Sequence, residues 1–296
     1  MNSGIKKITH NWIIKVALQK LCDLLPKKLG MNLNGFLTKV AIGNVNSRIN
    51  HKTRFIKFIK NLNCIHSHIN DFNLRNKLIF EIGTGWHGID IVAFYLLGAK
   101  NIITIDHHKH LKYHNIKYTI QSILELLDDP EILNFSKERF SKQRINSLQK
   151  ALEHKTLLEL LNFLCVDYRI INSRNYKNIT IENKKVDFFY SESVLQRIKK
   201  ENLSDLIKVI STYMDDDALS FHRTDQKDIN SQEHVDSNLW SLNYLRYSDW
   251  FFYLFISGKI NFQNRLRESD FLQFLSNANL NPIYVESVCK KNDIER

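Results

Sequence analysis

The spacing of hydrophobic positions changes several times along the chain. Near the start, Trp12, Val16, Ala17, Leu21, Leu24 and Leu25 recur at helical intervals, which predicts an amphipathic helix over 11–25. A second helix is expected over about 50–67, carrying Phe55, Ile56, Ile59 and Leu62. The stretch between them, with Gly30, Gly35, Gly43 and frequent Asn and Ser, reads as loop. The pattern then shifts to a short apolar run at 77–81, followed at once by Gly83, Gly85 and Gly88. An apolar helical segment at 89–97 ends at Gly98, a natural C-cap. A second run, 101–106, is rich in β-branched residues. Strand, glycine turn, helix and strand in about 30 residues make a βαβ unit, which implies a parallel sheet with a right-handed crossover.

Residues 110–164 continue with helical spacing and are too long for one crossover helix, so a helical insertion over the sheet is expected. Further strands are predicted at 166–171, 186–190 and 218–222, with an amphipathic helix at 203–213. The C-terminal part should add a helix at 269–278 and a strand at about 283–288. The expected class is α/β, a Rossmann-like sheet with helices on both faces. Residues 1–75 would form a basic helical N-terminal module and residues 76–296 the sheet domain.

Composition narrows this. Only 9 glycines and 3 prolines occur in 296 residues, which disfavours a turn-dense β-sandwich and makes any glycine cluster informative. No uncharged apolar run reaches the roughly 18 residues of a membrane span. Four dispersed cysteines without a CxxC pair read as free thiols of a cytoplasmic protein, not as metal ligands or a disulfide framework. His107, His108, His110 and His114 have no Cys or Glu at ligand spacing, so no metal is expected.

Charge is uneven. The net charge is +11, and residues 1–75 alone hold 13 Lys/Arg against Asp23 and Asp71. Such a patch can be a solvated face, or can attract nucleic acid, a phosphorylated small molecule or an anionic surface. No motif of the known nucleic-acid readers is present, so nucleic acid is the minority reading. The first helix is better read as core or partner surface than as a membrane anchor.

The chemistry concentrates at Glu81-Ile82-Gly83-Thr84-Gly85-Trp86-His87-Gly88. Glycines at a strand-to-helix turn let backbone approach a ligand closely, and the helix behind offers free N–H groups. Asp106 ends the next strand, where a carboxylate can take both ribose hydroxyls. The constellation points to a nucleoside-containing cofactor. Glu81, two residues before the first glycine, would repel a pyrophosphate and suits a cationic ligand.

These residues resemble the class I S-adenosylmethionine-dependent methyltransferases. Glu81, Gly83, Gly85 and Gly88 match their first motif, and Asp106 matches their second-strand acid. The resemblance, covering about 76–225, implies S-adenosylmethionine as cofactor. It sets Glu81, Gly83, Thr84, Gly85 and Gly88 along the methionine side, Asp106 on the ribose and His107 against the adenine. Asn175 falls in the region after strand three. Within Asp187–Leu195, Ser191 and Glu192 would border the methyl-transfer site.

The sulfonium is itself strongly electrophilic, so positioning supplies most of the acceleration; an oxygen acceptor also needs a base. His222, leaving a strand at the sheet's C-terminal edge, is the candidate base, with Asp225 beside it; the pair can equally be a structural hydrogen bond. Some carbohydrate-cluster methyltransferases are similar at this run and at Asn264–Arg267. Tyr247 and Arg265 are candidate contacts to a small-molecule acceptor, sugar-linked or anionic. Rival readings are an NAD-dependent oxidoreductase, disfavoured by Glu81; a nucleic-acid methyltransferase; and a catalytically silent binding module.

Overall fold

The structure is a computed structural model. It describes residues 11–26, 29–30, 32–36, 51–171, 176–182, 185–231, 239–259 and 262–288. Asn175, Gly43 and Cys289 lie outside the described residues, as does part of the loop expected between the first two helices.

Five strands form one parallel sheet: β1 (Leu78–Ile82), β2 (Asn101–Asp106), β3 (Val166–Ile170), β4 (Val186–Glu192) and β5 (Met214–Arg223). Their order is β3-β2-β1-β4-β5, the doubly wound arrangement in which the winding reverses beside β1. All five residues of β1 are buried, as expected for a central strand covered on both faces. The register sets Ile82 between Ile105 and Ser191, and Ser191 beside His222. Strand ends from β1, β2, β4 and β5 therefore open along one edge of the sheet, where such folds bind ligands.

Alternation along the strands separates two cores. Ile79, Ile102, Phe188 and Tyr190 face one side. Helices α1 (Trp12–Leu24) and α2 (His51–His68) precede the sheet, and α3 (Ile89–Leu96) joins β1 to β2. The insertion between β2 and β3 is α4 (Tyr113–Leu126), α5 (Pro130–Arg139), α6 (Lys142–Ala151) and α7 (Leu157–Phe163). Helices α2 to α7 cover the first face. Phe80, Ile82, Ile105 and Phe189 face the other side, under α8 (Lys200–Tyr213) and α10 (Glu268–Asn277). A smaller cluster joins α1 to α9 (Asp249–Phe251) and the π-helical turn Phe252–Ile256 behind it.

Four expectations change. First, α2 is not set apart from the sheet domain. Phe55, Phe58, Ile59, Leu62 and Ile65 are buried in the larger core, and Phe58 meets Phe94 and Tyr190 edge-on at 5.1 and 5.8 Å. This part of the basic segment is a layer of that domain. Second, β5 begins at Met214 and β4 runs on to Glu192, so both strands are longer than expected. Third, residues 283–288 form no strand: they are exposed, and Tyr284 lies against His68 with ring centroids 3.8 Å apart and planes tilted by 31°. Alternation alone does not supply a strand with a partner. Fourth, α1 buries Val16 and Cys22 but exposes Ala17, Leu21, Leu24 and Leu25, so its docked face differs from the one the spacing suggested. Polar anchors turn it: Lys20 Nζ donates to Ser257 O at 2.7 Å and Asp23 Oδ2 accepts from Lys259 N at 2.8 Å.

Burial of Phe58 gives a direct check on α2. Phe58→Ala should lower the unfolding free energy by about 3–5 kcal/mol, the cost of a large core truncation, in urea titration. A loss below about 1 kcal/mol would mean that α2 does not share the domain core.

Candidate functional site

The turn after β1 is built by three left-handed glycines, Gly83 at φ +92°, Gly85 at +67° and Gly88 at +62°. A Cβ on Gly83 would stand 2.3 Å from Val194 Cγ2, whereas one on Gly85 would meet nothing within 4 Å. Gly83 thus lets β4's trailing loop close in, while Gly85 borders open space at the strand ends. Gly88 is the N-cap of α3.

Beneath this turn runs a buried hydrogen-bond relay. Thr104 Oγ1 donates to Glu81 Oε2 at 2.5 Å, which leaves the Thr84 hydroxyl to donate to Thr104 Oγ1 at 2.6 Å. The pairing follows from register, since Glu81 and Thr104 are partners across β1 and β2. Glu81 is only 2% exposed. Burial raises its pKa well above the ordinary range; Asp90 and Asp106 push it further up, against the Thr104 bond.

Asp106 closes the other side. Its Oδ2 accepts from Gly85 N at 3.0 Å and its Oδ1 from His107 N at 2.6 Å and His108 N at 3.3 Å. His107 Nε2 lies 2.7 Å from Tyr176 Oη and Nδ1 lies 3.5 Å from Ile171 O. With its proton on Nδ1 the ring would meet the carbonyl, and Nε2 would accept from Tyr176. Burial lowers the pKa of His107, against the Ile171 carbonyl and Asp106.

The β4 and β5 ends complete the edge. Glu192 pairs with Lys57 and accepts from Asn61 Nδ2 at 2.7 Å. Asn61, buried on α2, also meets Tyr190 Oη at 2.9 Å and Arg223 Nη1 at 3.0 Å. Ser191 Oγ lies 2.9 Å from His222 Nδ1. Burial lowers the pKa of His222 to about 4, and its Nε2 is buried with no hydrogen-bond partner. Asp225 does not bond to His222; its Oδ1 accepts from Lys227 N at 3.1 Å within its own turn.

Glu81, Gly83, Thr84, Gly85, Gly88, Asp106 and His107 are therefore gathered at the β1–β2 ends, with Ser191, Glu192 and His222 alongside at β4–β5. Tyr247 and Arg265 are engaged elsewhere. Tyr247 stacks on Phe251 at 5.4 Å, and Arg265 pairs with Asp249 at 2.9 Å while lying over Phe252 at 5.3 Å. Both belong to the wall shared with α1 and α9.

Sequence reasoning missed Asp90, Lys57 and Asn61. Asp90, in the first turn of α3, has its pKa raised to about 7 by burial and then by Glu192, against the pull of Arg54 and Lys57. The one available sign for Asn61 was a polar residue flanked by Phe58, Ile59, Leu62 and Ile65 on an otherwise apolar stripe.

No family model matches the chain, and no curated protein matches it. Similar solved structures exist. One is a chain from a complex of a methyltransferase activator and a methyltransferase of Haloferax volcanii, at 7% identity and a TM-score of 0.40, covering 79% of this chain and 73% of that one. A second is an S-adenosylmethionine-dependent methyltransferase from Clostridium acetobutylicum, at 11% identity and 0.33, covering 68% and 60%. A third is the magnesium protoporphyrin IX methyltransferase of Synechocystis with S-adenosylmethionine bound, at 11% and 0.37, covering 76% and 70%. Similarities this low transfer neither an activity nor a residue's role.

Asp90 yields a signed pH effect. Between its unfolded pKa near 4 and about 7, the folded chain holds a proton that the unfolded chain lacks. Its contribution to stability therefore falls as pH rises through that window. His87 and His222, both lowered to about 4, act in the opposite sense up to about pH 6.5, so the effect is read as a difference. The stability of wild type relative to Asp90→Asn should fall steadily between about pH 4 and 7 in urea titrations; parallel curves would mean that Asp90 titrates normally.

Proposed function

We propose that the chain is an S-adenosylmethionine-dependent methyltransferase acting on a small molecule, sugar-linked or anionic. The observation that carries this reading is the set of carboxylates around the open glycine turn. Glu81 and Asp106 flank it, Asp90 follows it on α3, and Glu192 ends β4. Such a field attracts a sulfonium and an α-ammonium group and repels a dinucleotide's pyrophosphate. The carboxylate of Asp106, at the end of β2, fits a ribose, and the space beside Gly85 leaves room for the adjoining methionine part.

In this reading Asp106 exchanges its bond from Gly85 N–H for the ribose hydroxyls, and His107, braced by Tyr176, flanks the adenine. Glu81, Gly83, Thr84, Gly85 and Gly88 shape the methionine side, with Ser191 and Glu192 at its far end. When bound, the cofactor supplies an electrophilic methyl carbon. The chain's own task is to align an acceptor lone pair with that carbon and to exclude water. His222 is suited to take the acceptor's proton in one tautomer: Nδ1–H donates to Ser191 Oγ, and the unpartnered Nε2 lone pair is left for an acceptor hydroxyl. Its low pKa makes it a weak base, so its hydrogen bond orients the hydroxyl and the proton moves as the methyl bond forms. Asp225 lacks contact with His222 and is assigned no step.

Calorimetry tests the proposal. S-adenosylmethionine should bind and NAD should not, and Asp106→Ala should weaken binding by about 1–3 kcal/mol, the value of charged hydrogen bonds. Tight NAD binding without S-adenosylmethionine binding would replace this reading with the oxidoreductase one.

A further inference from the structure

Helix α1 is docked with its polar side inward. Lys15 Nζ reaches Asn230 Oδ1 at 3.3 Å, Lys20 Nζ reaches Ser257 O, and Asp23 reaches the backbone of Lys259. Trp12, Val16 and Cys22 share this inner side. The outward face holds Ile13, Ile14, Ala17, Leu21, Leu24 and Leu25 and no charge. Leu24 is 82% exposed and Ile13 and Leu21 each 60%. Helix α9 and the turn against which α1 packs also expose apolar side chains, Trp250, Leu254 and Phe255, at 67%, 59% and 49%.

Single exposed apolar residues are ordinary, but a contiguous apolar face on an ordered helix marks a contact surface. Here it is made by a helix whose polar side chains are committed to holding it in that orientation. The sequence around it is basic. The first 50 residues carry eight Lys/Arg against Asp23 alone, including Lys6 and Lys7 before the helix and Lys27 and Lys28 directly after it in sequence. Lys259 and Arg246, beside α9, are exposed as well.

We propose that α1 and the adjoining Trp250–Phe255 turn dock the protein on an anionic lipid surface. An apolar helix face with aromatic neighbours enters the headgroup boundary, and flanking cations hold it to negative lipid. No described helix is long and apolar enough to cross a membrane, so the chain would lie on the surface. A second copy fits less well, because a two-fold contact through this face would bring two strongly basic segments together. The proposal stands apart from the cofactor reading, since none of these residues belongs to the glycine-turn site.

Vesicle co-sedimentation with the full chain is the test, using phosphatidylcholine vesicles with and without phosphatidylglycerol. The protein should pellet with the anionic vesicles, pellet poorly with phosphatidylcholine alone, and be released by high salt. Leu21→Glu/Leu24→Glu should lose the binding by tenfold or more while keeping its far-ultraviolet dichroism and melting temperature. Wild type that stays in the supernatant would overturn the proposal, and so would a double variant that still pellets. A wild-type dimer that the double variant makes monomeric, without vesicle binding, would assign the face to a second copy instead. None of these outcomes bears on cofactor binding, which calorimetry reads separately.

Discussion

Glu81 is a carboxyl group taken out of water at the end of the central strand, and the surrounding geometry follows from what that burial demands. An unpaired buried carboxyl costs several kcal/mol, more if ionised. The chain meets the demand with the Thr104 hydroxyl, which the β1–β2 register places opposite. Thr104 in turn is satisfied by Thr84, and Thr84 sits in the turn whose path requires Gly83 and Gly85 at positive φ. Strand register, turn conformation and site charge are thus one linked arrangement. Burial, with Asp90 and Asp106 adding to it, raises the pKa of this carboxyl well above the ordinary range.

The basic excess of the N-terminal quarter divides into two parts with different uses. On α2 it is spent inside the molecule: Lys52 pairs with Asp129 and Glu131, Lys57 pairs with Glu192, and Arg54 lies near enough to Asp90 to oppose its raised pKa. Helix α2 therefore both covers the first core and supplies counter-charge to the acidic strand ends. Within the first 50 residues, Lys15 and Lys20 hold the inner side of α1, and the remaining cations flank that helix in the sequence. Net charge read as one number conceals this division.

Much of the site was legible because glycine is rare here and the strand–glycine–helix–strand unit is local. The position of Asp106 needed only the length of β2. Residues 283–288 were misjudged because alternation reports a side-chain pattern, whereas a strand exists only with a neighbour. The face of α1 was misjudged because Lys15, Lys20 and Asp23 look like a solvated side until their partners at 230 and 253–259 are known. Asn61 and Asp90 acquire their roles through packing across more than a hundred residues, at Glu192 above all, and no local pattern encodes that.

The central claim is that the acidic strand ends receive a positive charge, which would draw a proton from Asp90, whose pKa is raised to about 7. Calorimetry near pH 7 in two buffers of different ionisation enthalpy counts protons exchanged on binding. S-adenosylmethionine should release protons on binding, and its uncharged-sulfur product S-adenosylhomocysteine should release measurably fewer. Equal proton release by the two ligands, or none by either, would contradict the account.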